Sequence, residues 1–415
     1  MSLQVKQNQL QANSLEHPTL PPTQTILVAV GITIAILLSV ATFTIADMNL
    51  LIQLWLGLLL GFTLFHARFG FTSAFRRLMS VGNGEGLRAH MLMLAIASTL
   101  FAPILAYGIS FFGHEPTGFV SPVGVSLLVG AFVFGIGMQL GGGCASGTLY
   151  SAGGGRSSMF ITLFGFIVGS VIGAAHFDFW MNDTPSLPAI SLATDTGLGY
   201  GGAWLLQLLI FAGIIAITYY IQRKKNPPKM AAVPSAIGIK RVIRGSWPLL
   251  VAAVVLAVLN AVTLLVRGQP WGITSAFALW GSKAAQFIGI DVASWGYWSG
   301  DRAQELNQSV FLDSTSVMNF GIMTGALLAA TAGGVYALKR IPPKLIIASL
   351  IGGIMMGYGA RLAFGCNIGA YFSGVASFSL HGWVWAVMAL AGTYVALYLR
   401  PLFGLSVPKP TDSSC

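Results

Sequence analysis

The chain has 415 residues, 55% hydrophobic and 8% charged, with a mean hydropathy of +0.76 and a formal charge of +10. A soluble domain carries about 25% charged residues, so this composition excludes a soluble protein and predicts a polytopic membrane protein. Three cysteines, none in a CxxC pair, exclude a disulfide framework and a structural zinc site.

Residues 1–24 are polar and Gln-rich and end in HPTLPPTQ. They read as a disordered N-terminal tail, since no basic region leads directly into an apolar stretch as in a signal peptide. Apolar runs long enough for a bilayer, roughly 20 residues, then recur. They predict an all-α fold with ten spans at 25–45, 50–66, 89–112, 122–140, 158–177, 202–222, 247–266, 315–338, 344–363 and 381–400. Residues 25–222 form a first membrane repeat, 223–246 a basic cytoplasmic linker, 247–405 a second membrane repeat and 406–415 a C-terminal tail. Four segments are excluded from the span count: the FTSAF and ITSAF stretches and the glycine-rich stretches around Cys144 and Cys366.

With the N-terminus inside, 18 of the 22 basic residues fall on the inner side, seven of them in the linker. Only Arg267, Lys283, Arg302 and Arg361 lie outside, together with nine of the twelve acids. The positive-inside rule then places both termini in the cytoplasm. The net charge is a topology signal and does not indicate nucleic-acid binding.

The chain repeats internally. Aligning Cys144 with Cys366 superposes Gly130 on Gly352, Gly135 on Gly357, Gly137 on Gly359, Gly143 on Gly365, Gly147 on Gly369 and Ser151 on Ser373. Upstream, FGFTSAF at 69–75 matches WGITSAF at 271–277, and the second half carries about 20 additional residues between the two motifs. Partner motifs are five spans apart, an odd number, so they lie on opposite sides of the membrane. This is the pattern of an inverted-topology repeat, whose substrate site lies near the midplane at the repeat interface. The expected architecture has short re-entrant helices, one pair dipping from each face, meeting near that midplane.

Glycine clusters at 141–143 and 153–155 would weaken a helix interior and instead suit tight backbone lining a path. Cys144, between Gly143 and Gly147, and Cys366, between Gly365 and Gly369, are the candidate path thiols. A thiol is polarizable and a weak donor, suited to a soft sulfur-bearing solute. Arg361 and its repeat equivalent Gln139 are further candidates, the arginine either lining an anion path or snorkelling to the interface. The hydroxyls of Thr72, Ser73, Thr274 and Ser275 either bind a passing oxyanion or cap the short helices that follow. Arg68 and Arg76 read mainly as positive-inside anchors. His90 and His381 open spans and suit interfacial positions, and Trp271, Trp280, Trp295 and Trp298 resemble an aromatic belt. No GxxxxGK[ST] loop is present, so neither ATP hydrolysis nor a cofactor is indicated.

The stretches GIGMQLGGGCASGTLYSAGGG, GYGARLAFGCNIGAYFSGVASFSLHGW and RFGFTSAFRRLM resemble signature segments of the YeeE/YedE family of bacterial inner-membrane proteins, over roughly residues 50–405. The resemblance implies uptake of thiosulfate or a related small sulfur anion, with relatives linked to selenium metabolism. It also implies an hourglass-like, pseudo-symmetric fold with a cysteine-lined waist where S–H···S contacts pass the substrate inward, and a small cytosolic sulfur-carrier protein as partner. Cys144 and Cys366 match two path cysteines of the family. Where thiosulfate-importing relatives typically hold a third, this chain has Gly70. A thiol-dependent sulfurtransferase or redox protein, and a passive channel for another small anion or selenium species, are the alternative functions.

Overall fold

A computed structural model of the chain describes residues 20–414 apart from 232, 234, 237 and 301. The expected disordered tail up to residue 19, and Cys415, lie outside the described residues. The helices in chain order are α1 (Thr25–Ile45), α2 (Met48–Ala67), α3 (Phe71–Val81), α4 (Glu85–Tyr107), α5 (Val125–Gly141), α6 (Ala145–Gly153) and α7 (Ser157–Ala175). Then follow α8 (Gly199–Lys225), α9 (Leu249–Arg267), α10 (Thr274–Phe287), α11 (Ser314–Ala332), α12 (Pro343–Leu362) and α13 (Leu380–Leu399). Shorter helical turns lie between them, including a π-helical turn at Asn367–Ser373.

All ten expected spans are present as helices long and apolar enough to cross a membrane. The intervening α3, α6 and α10 have 11, 9 and 14 residues. At about 1.5 Å per residue none of them reaches across a hydrocarbon core of about 30 Å.

Local chemistry sets the boundaries. Asp47 caps α2 by accepting from Leu50 N at 2.8 Å, and Asp313 caps α11 through Thr315 N and Ser316 N. Two ends differ from expectation for the same reason. The third span stops at Tyr107 because Gly108 turns left-handed at φ 64°, and α11 stops at Ala332 before Gly334 at φ 71°. A left-handed glycine is the common helix terminator.

Helix α12 is central, packing along α7 on one side and α5 on the other, while α13 packs on α5. Helix α2 packs on α11, and α4 on α9 and α8. Glycine makes these contacts possible. A Cβ on Gly57 or Gly61 would strike the main chain of Met318 or Ile322, and one on Gly321 or Gly325 the main chain of Leu54 or Leu58. The two helices thus present reciprocal GxxxG rows, and small residues let membrane helices approach to backbone contact. Gly165 and Gly169 of α7 face Gly353 and Gly357 of α12 in the same way. Of the clustered glycines, Gly141 and Gly153 also serve close packing, whereas Gly142 and Gly155 turn the chain at φ 80° and 90°.

The only sheet among the described residues is a two-stranded antiparallel one, β1 (Pro122–Gly124) against β2 (Ser186–Ala189), with Pro122 opposite Ala189 and Gly124 opposite Ser186. Beyond β2 the chain continues across the start of α13. Leu192 N donates to Phe378 O at 2.7 Å, and Leu380 N to Ile190 O at 3.0 Å.

Overpacking costs about 1–3 kcal/mol, whereas Gly→Ala in open space gains about 0.4–1 kcal/mol by reducing unfolded-state freedom. Gly325→Ala should therefore lower the thermal midpoint of the detergent-solubilised protein. Gly213→Ala, on α8 with nothing within 4 Å of the added carbon, should leave it unchanged or raise it. The monodisperse fraction after heating measures both.

Candidate functional site

Gly142 reverses the chain after α5, and Cys144 follows in extended conformation (φ −80°, ψ −171°) as the N-cap of α6. Thr148 N donates to Cys144 O at 2.7 Å, so the amides of Ala145, Ser146 and Gly147 form a helix N-terminus without intrahelical acceptors. The Cys144 thiol is buried, with Sγ 3.3 Å from Ser146 Oγ. A Cβ on Gly147 would sit 3.5 Å from that sulfur, and one on Gly143 3.2 Å from Gly147 C. The two glycines keep the approach to the thiol open.

That approach is a cavity of about 470 Å³. Its walls include Cys144, Gly142, Gly143, Gly147, Thr72, Ser73, Tyr150 and Ser151, and five arginines: Arg68, Arg76, Arg77, Arg156 and Arg241. A neighbouring cavity of about 610 Å³ shares Arg68, Tyr150, Ser151 and Arg156 and adds Lys339 and Arg340. No carboxylate lines either space. At an effective dielectric of about 20, one guanidinium about 8 Å away favours a unit negative charge by about 2 kcal/mol, and five act together here. Part of the wall comes from the linker, through Met230, Ala231 and Val233. The start of α9 is clamped alongside: Trp247 stacks on His66 with centroids 5.7 Å apart, and Gly245 O lies 2.8 Å from His66 Nδ1.

The N-terminus of α3 opens on the same cavity, but not by hydroxyl capping. Its N-cap is Gly70, with no side-chain bond, and Ser73 Oγ donates to Gly70 O at 3.0 Å. Thr72 Oγ1 is buried beside the Cys144 thiol without a hydrogen-bond partner of ordinary geometry. Gly70 also borders the cavity, and a Cβ there would lie 2.8 Å from Ser73 Oγ. Gln139 does not line this space. Its Nε2 donates to Thr72 O at 2.9 Å and Thr393 Oγ1 at 3.3 Å, its Oε1 accepts from Arg76 at 3.3 Å, and its carbonyl accepts from Arg400. It ties α3 to α5 and α13.

In the second half, Phe364 (φ 58°) and Gly365 (φ 152°) bend the chain into Cys366, the N-cap of the π-helical turn. Such turns concentrate at functional sites. The Cys366 thiol is buried and accepts from Ile368 N at 3.4 Å. The turn contacts α6, so the two cysteine elements meet. Gly369 is buried, yet a Cβ there would find nothing within 4 Å. Beside it Asn367 is fully buried with neither Nδ2 nor Oδ1 paired. Buried amides are nearly always satisfied, and this one is unpaired two residues from the position of Gly369. Its sequence neighbourhood carries no signal of this.

The remaining candidates divide. Thr274 is buried and Ser275 exposed at the start of α10, whose N-cap is Ile273 without a side-chain bond. Arg361 is 6% exposed, so it does not snorkel; its Nη1 donates to Tyr297 Oη. This tyrosine belongs to the additional segment of the second half, near the end of α7, whereas Arg156 lies at the start of α7. Arg361 packs on Gly173, so the rise of α7 places it about 25 Å from Arg156 along the helix axis. The cavity is the basic end of the bundle and Arg361 lies towards the other.

Two expectations are corrected. His90 and His381 are 1% and 0% exposed, packed among Phe69, Phe71, Phe75 and Tyr371 and against Ser379 respectively, not interfacial. The four tryptophans form no belt. Trp271 and Trp298 are buried, and Trp280 and Trp298 donate to Ser316 Oγ at 2.8 Å and Ser282 Oγ at 3.0 Å. The arginines at positions 68 and 76, read as anchors, line the cavity together with Arg77, Arg156 and Arg241, which sequence alone did not single out.

Comparison with known proteins bears on the chain as a whole. The family model described as sulphur transport matches residues 66–395. Thiosulfate transporter TsuA of Escherichia coli K12 is 28% identical over 360 residues, covering 83% of this chain and 94% of the relative. Thiosulfate transporter TsuA of Spirochaeta thermophila is 25% identical over 370 residues, covering 84% and 99%. The probable transporter YedE of E. coli is 30% identical over 164 residues, 39% of this chain and 40% of the relative. With a match along most of its length, the chain belongs to the sulphur transport family and is a membrane transporter of a sulfur compound, not an enzyme.

Proposed function

We propose that the chain imports thiosulfate or a closely related small sulfur anion across the bacterial inner membrane, along a path that passes Cys366 and then Cys144. The observation that carries this reading is the placement of Cys144 at a helix N-terminus in the wall of a cavity with five arginines and no carboxylate. Fixed cations and free amides suit an anion, and a neutral thiol offers a weak S–H donor and a polarizable surface to its sulfur. Asn367 and the Gly369 space extend the path to the second thiol. Thr72, with Ser73 beside it, offers hydroxyls at the first.

In this reading the arginine cavity faces the cytoplasm, as the charge bias requires, and both termini lie there. Residues 25–222 and 247–405 form two inverted repeats around the linker. The helix pairing supports that relation: exchanging the halves maps the α7–α12 contact onto α13–α5 and the α2–α11 contact onto α9–α4. Arg361 contributes positive charge on the far side, while Gln139, its counterpart, holds the cavity wall. Thr274 and Ser275 take on the far side the places of Thr72 and Ser73. A small cytosolic sulfur-carrier protein is the acceptor that the family resemblance implies at the basic end.

The test is thiosulfate-dependent growth of a sulfur-auxotrophic bacterium, with membrane expression verified for every variant. The parent should support growth, and Cys144→Ser and Cys366→Ser should each lower uptake at least about tenfold, the loss of about 1.4 kcal/mol of guidance. Unchanged uptake in both serine variants would make the cysteines packing residues of a passive channel. Asn367→Leu, of similar volume but without the amide, should reduce uptake at unchanged expression. Gly147→Val, which fills the approach to Cys144, should abolish it.

A further inference from the structure

Beyond the arginine cavity, a second cationic feature sits at the opposite end, in the segment that makes the second half longer. Tyr297 lies in a short helical turn, Gly296–Trp298, and is 5% exposed. Two guanidinium groups face its ring. That of Arg302, exposed at the surface, is 4.7 Å from the centroid, and that of Arg361, buried beneath, is 5.4 Å away. The Tyr297 hydroxyl accepts from Arg361 Nη1. Arg361 Nε is buried with no partner, and no carboxylate pairs with the side chain among the described residues. Arg361 lies five residues before Cys366 in the chain.

The arrangement is built, not incidental. The stem of Arg361 runs against Gly173 of α7, where a Cβ would lie 2.8 Å from its Cβ and Cγ. The segment carrying Tyr297 is pinned around the aromatic ring: Gly296 N donates to Asp178 Oδ2 at 3.0 Å, Trp298 Nε1 to Ser282 Oγ at 3.0 Å, and Lys283 Nζ to Leu306 O at 2.7 Å. Among the described residues this buried cation meets only a neutral phenol and a ring face, and it is under-compensated. An anion would pair with it better than Tyr297 does, by the charge-assisted bonds that a guanidinium fork makes to an oxyanion.

We propose that Arg302, Tyr297 and Arg361 form the anion entrance on the face opposite the arginine cavity. A small oxyanion is held first by Arg302 at the surface. It then displaces the Tyr297 hydroxyl from the Arg361 guanidinium and so reaches Cys366. Tyr297 is the plug and its ring the partition between the two cations. The proposal rests on the anion-transport reading above and deepens it by assigning the outer site, but it does not depend on which sulfur anion is carried.

Its test reads thiol access, not sulfur uptake, so failure of the thiosulfate assignment would be distinguishable. In full-length protein with Cys144→Ser and Cys415→Ser, reconstituted in vesicles, Cys366 is the single thiol. Its modification is followed by intact mass after adding methanethiosulfonate ethylsulfonate, an anion, or its trimethylammonium counterpart, a cation, to the face bearing Tyr297. Tyr297→Phe keeps the ring but frees the guanidinium, and should speed anionic modification about tenfold, equivalent to one charge-assisted bond of about 1.4 kcal/mol, with little change for the cation. Arg302→Gln should reduce the preference for the anion, Arg361→Gln should remove it, and Arg361→Lys should retain part of it. Equal rates in the parent, Tyr297→Phe and Tyr297→Ala would overturn the proposal. So would an anion preference that survives in the Arg302→Gln/Arg361→Gln double variant, or a Cys366 that no variant exposes from that face.

Discussion

Everything in this molecule depends on helices approaching until glycine carbons touch carbonyl oxygens. In lipid there is no hydrophobic drive between apolar helices, so association rests on packing. Here the α2–α11 and α7–α12 pairs achieve it with reciprocal glycine rows. Each Cα–H···O contact contributes about 0.5–1 kcal/mol, and their sum along two crossings holds the scaffold against which short helices can end inside the protein. Without it, α6 and the π-helical turn would leave free amides and carbonyls in hydrocarbon, at several kcal/mol per unsatisfied group.

That rigidity determines what the site can be. Two cysteines each begin a short helical element, and the elements touch. Glycines remove side chains beside each sulfur: Gly147 leaves room over Cys144, and Gly369 leaves a buried space near Cys366. Two polar groups without hydrogen-bond partners of ordinary geometry accompany the thiols: Thr72 Oγ1 in the cavity that Cys144 lines, and the amide of Asn367, next to Cys366 in the chain. The site is thus described by what is left unfilled and unpaired as much as by what is present.

The spans, the paired cysteines and the repeated motifs were legible because hydropathy and internal similarity act along the chain. The cavity was not. Its arginines come from the end of α2, from α3, from the turn after α6 and from the linker, and in sequence each is fully accounted for by the positive-inside rule. The burial of His90 and His381, and of Trp271 and Trp298, escaped for a related reason: a residue near the end of a span is interfacial only if no other segment folds over it. Here Phe71 and Phe75 of α3 pack on His90, the 190–192 stretch pairs beside His381, Phe372 of the π-helical turn packs on Trp271, and Trp298 is enclosed by the additional segment of the second half. The unpaired amide of Asn367 is a property of its surroundings alone, and no residue pattern announces it.

Five fixed positive charges without a carboxylate among the lining side chains have a consequence for selectivity. In any salt solution such a cavity fills with whatever small anions are abundant, because a field of one sign concentrates counter-ions without regard to identity. Chloride, phosphate and sulfate are drawn in as readily as a rarer sulfur anion of equal charge. On the proposed transport reading the arginines act as a concentrator, and discrimination falls to the thiols of Cys144 and Cys366, at which a soft terminal sulfur and a hard oxygen present different surfaces. A sulfur transporter built this way separates the capture of charge from the recognition of the element.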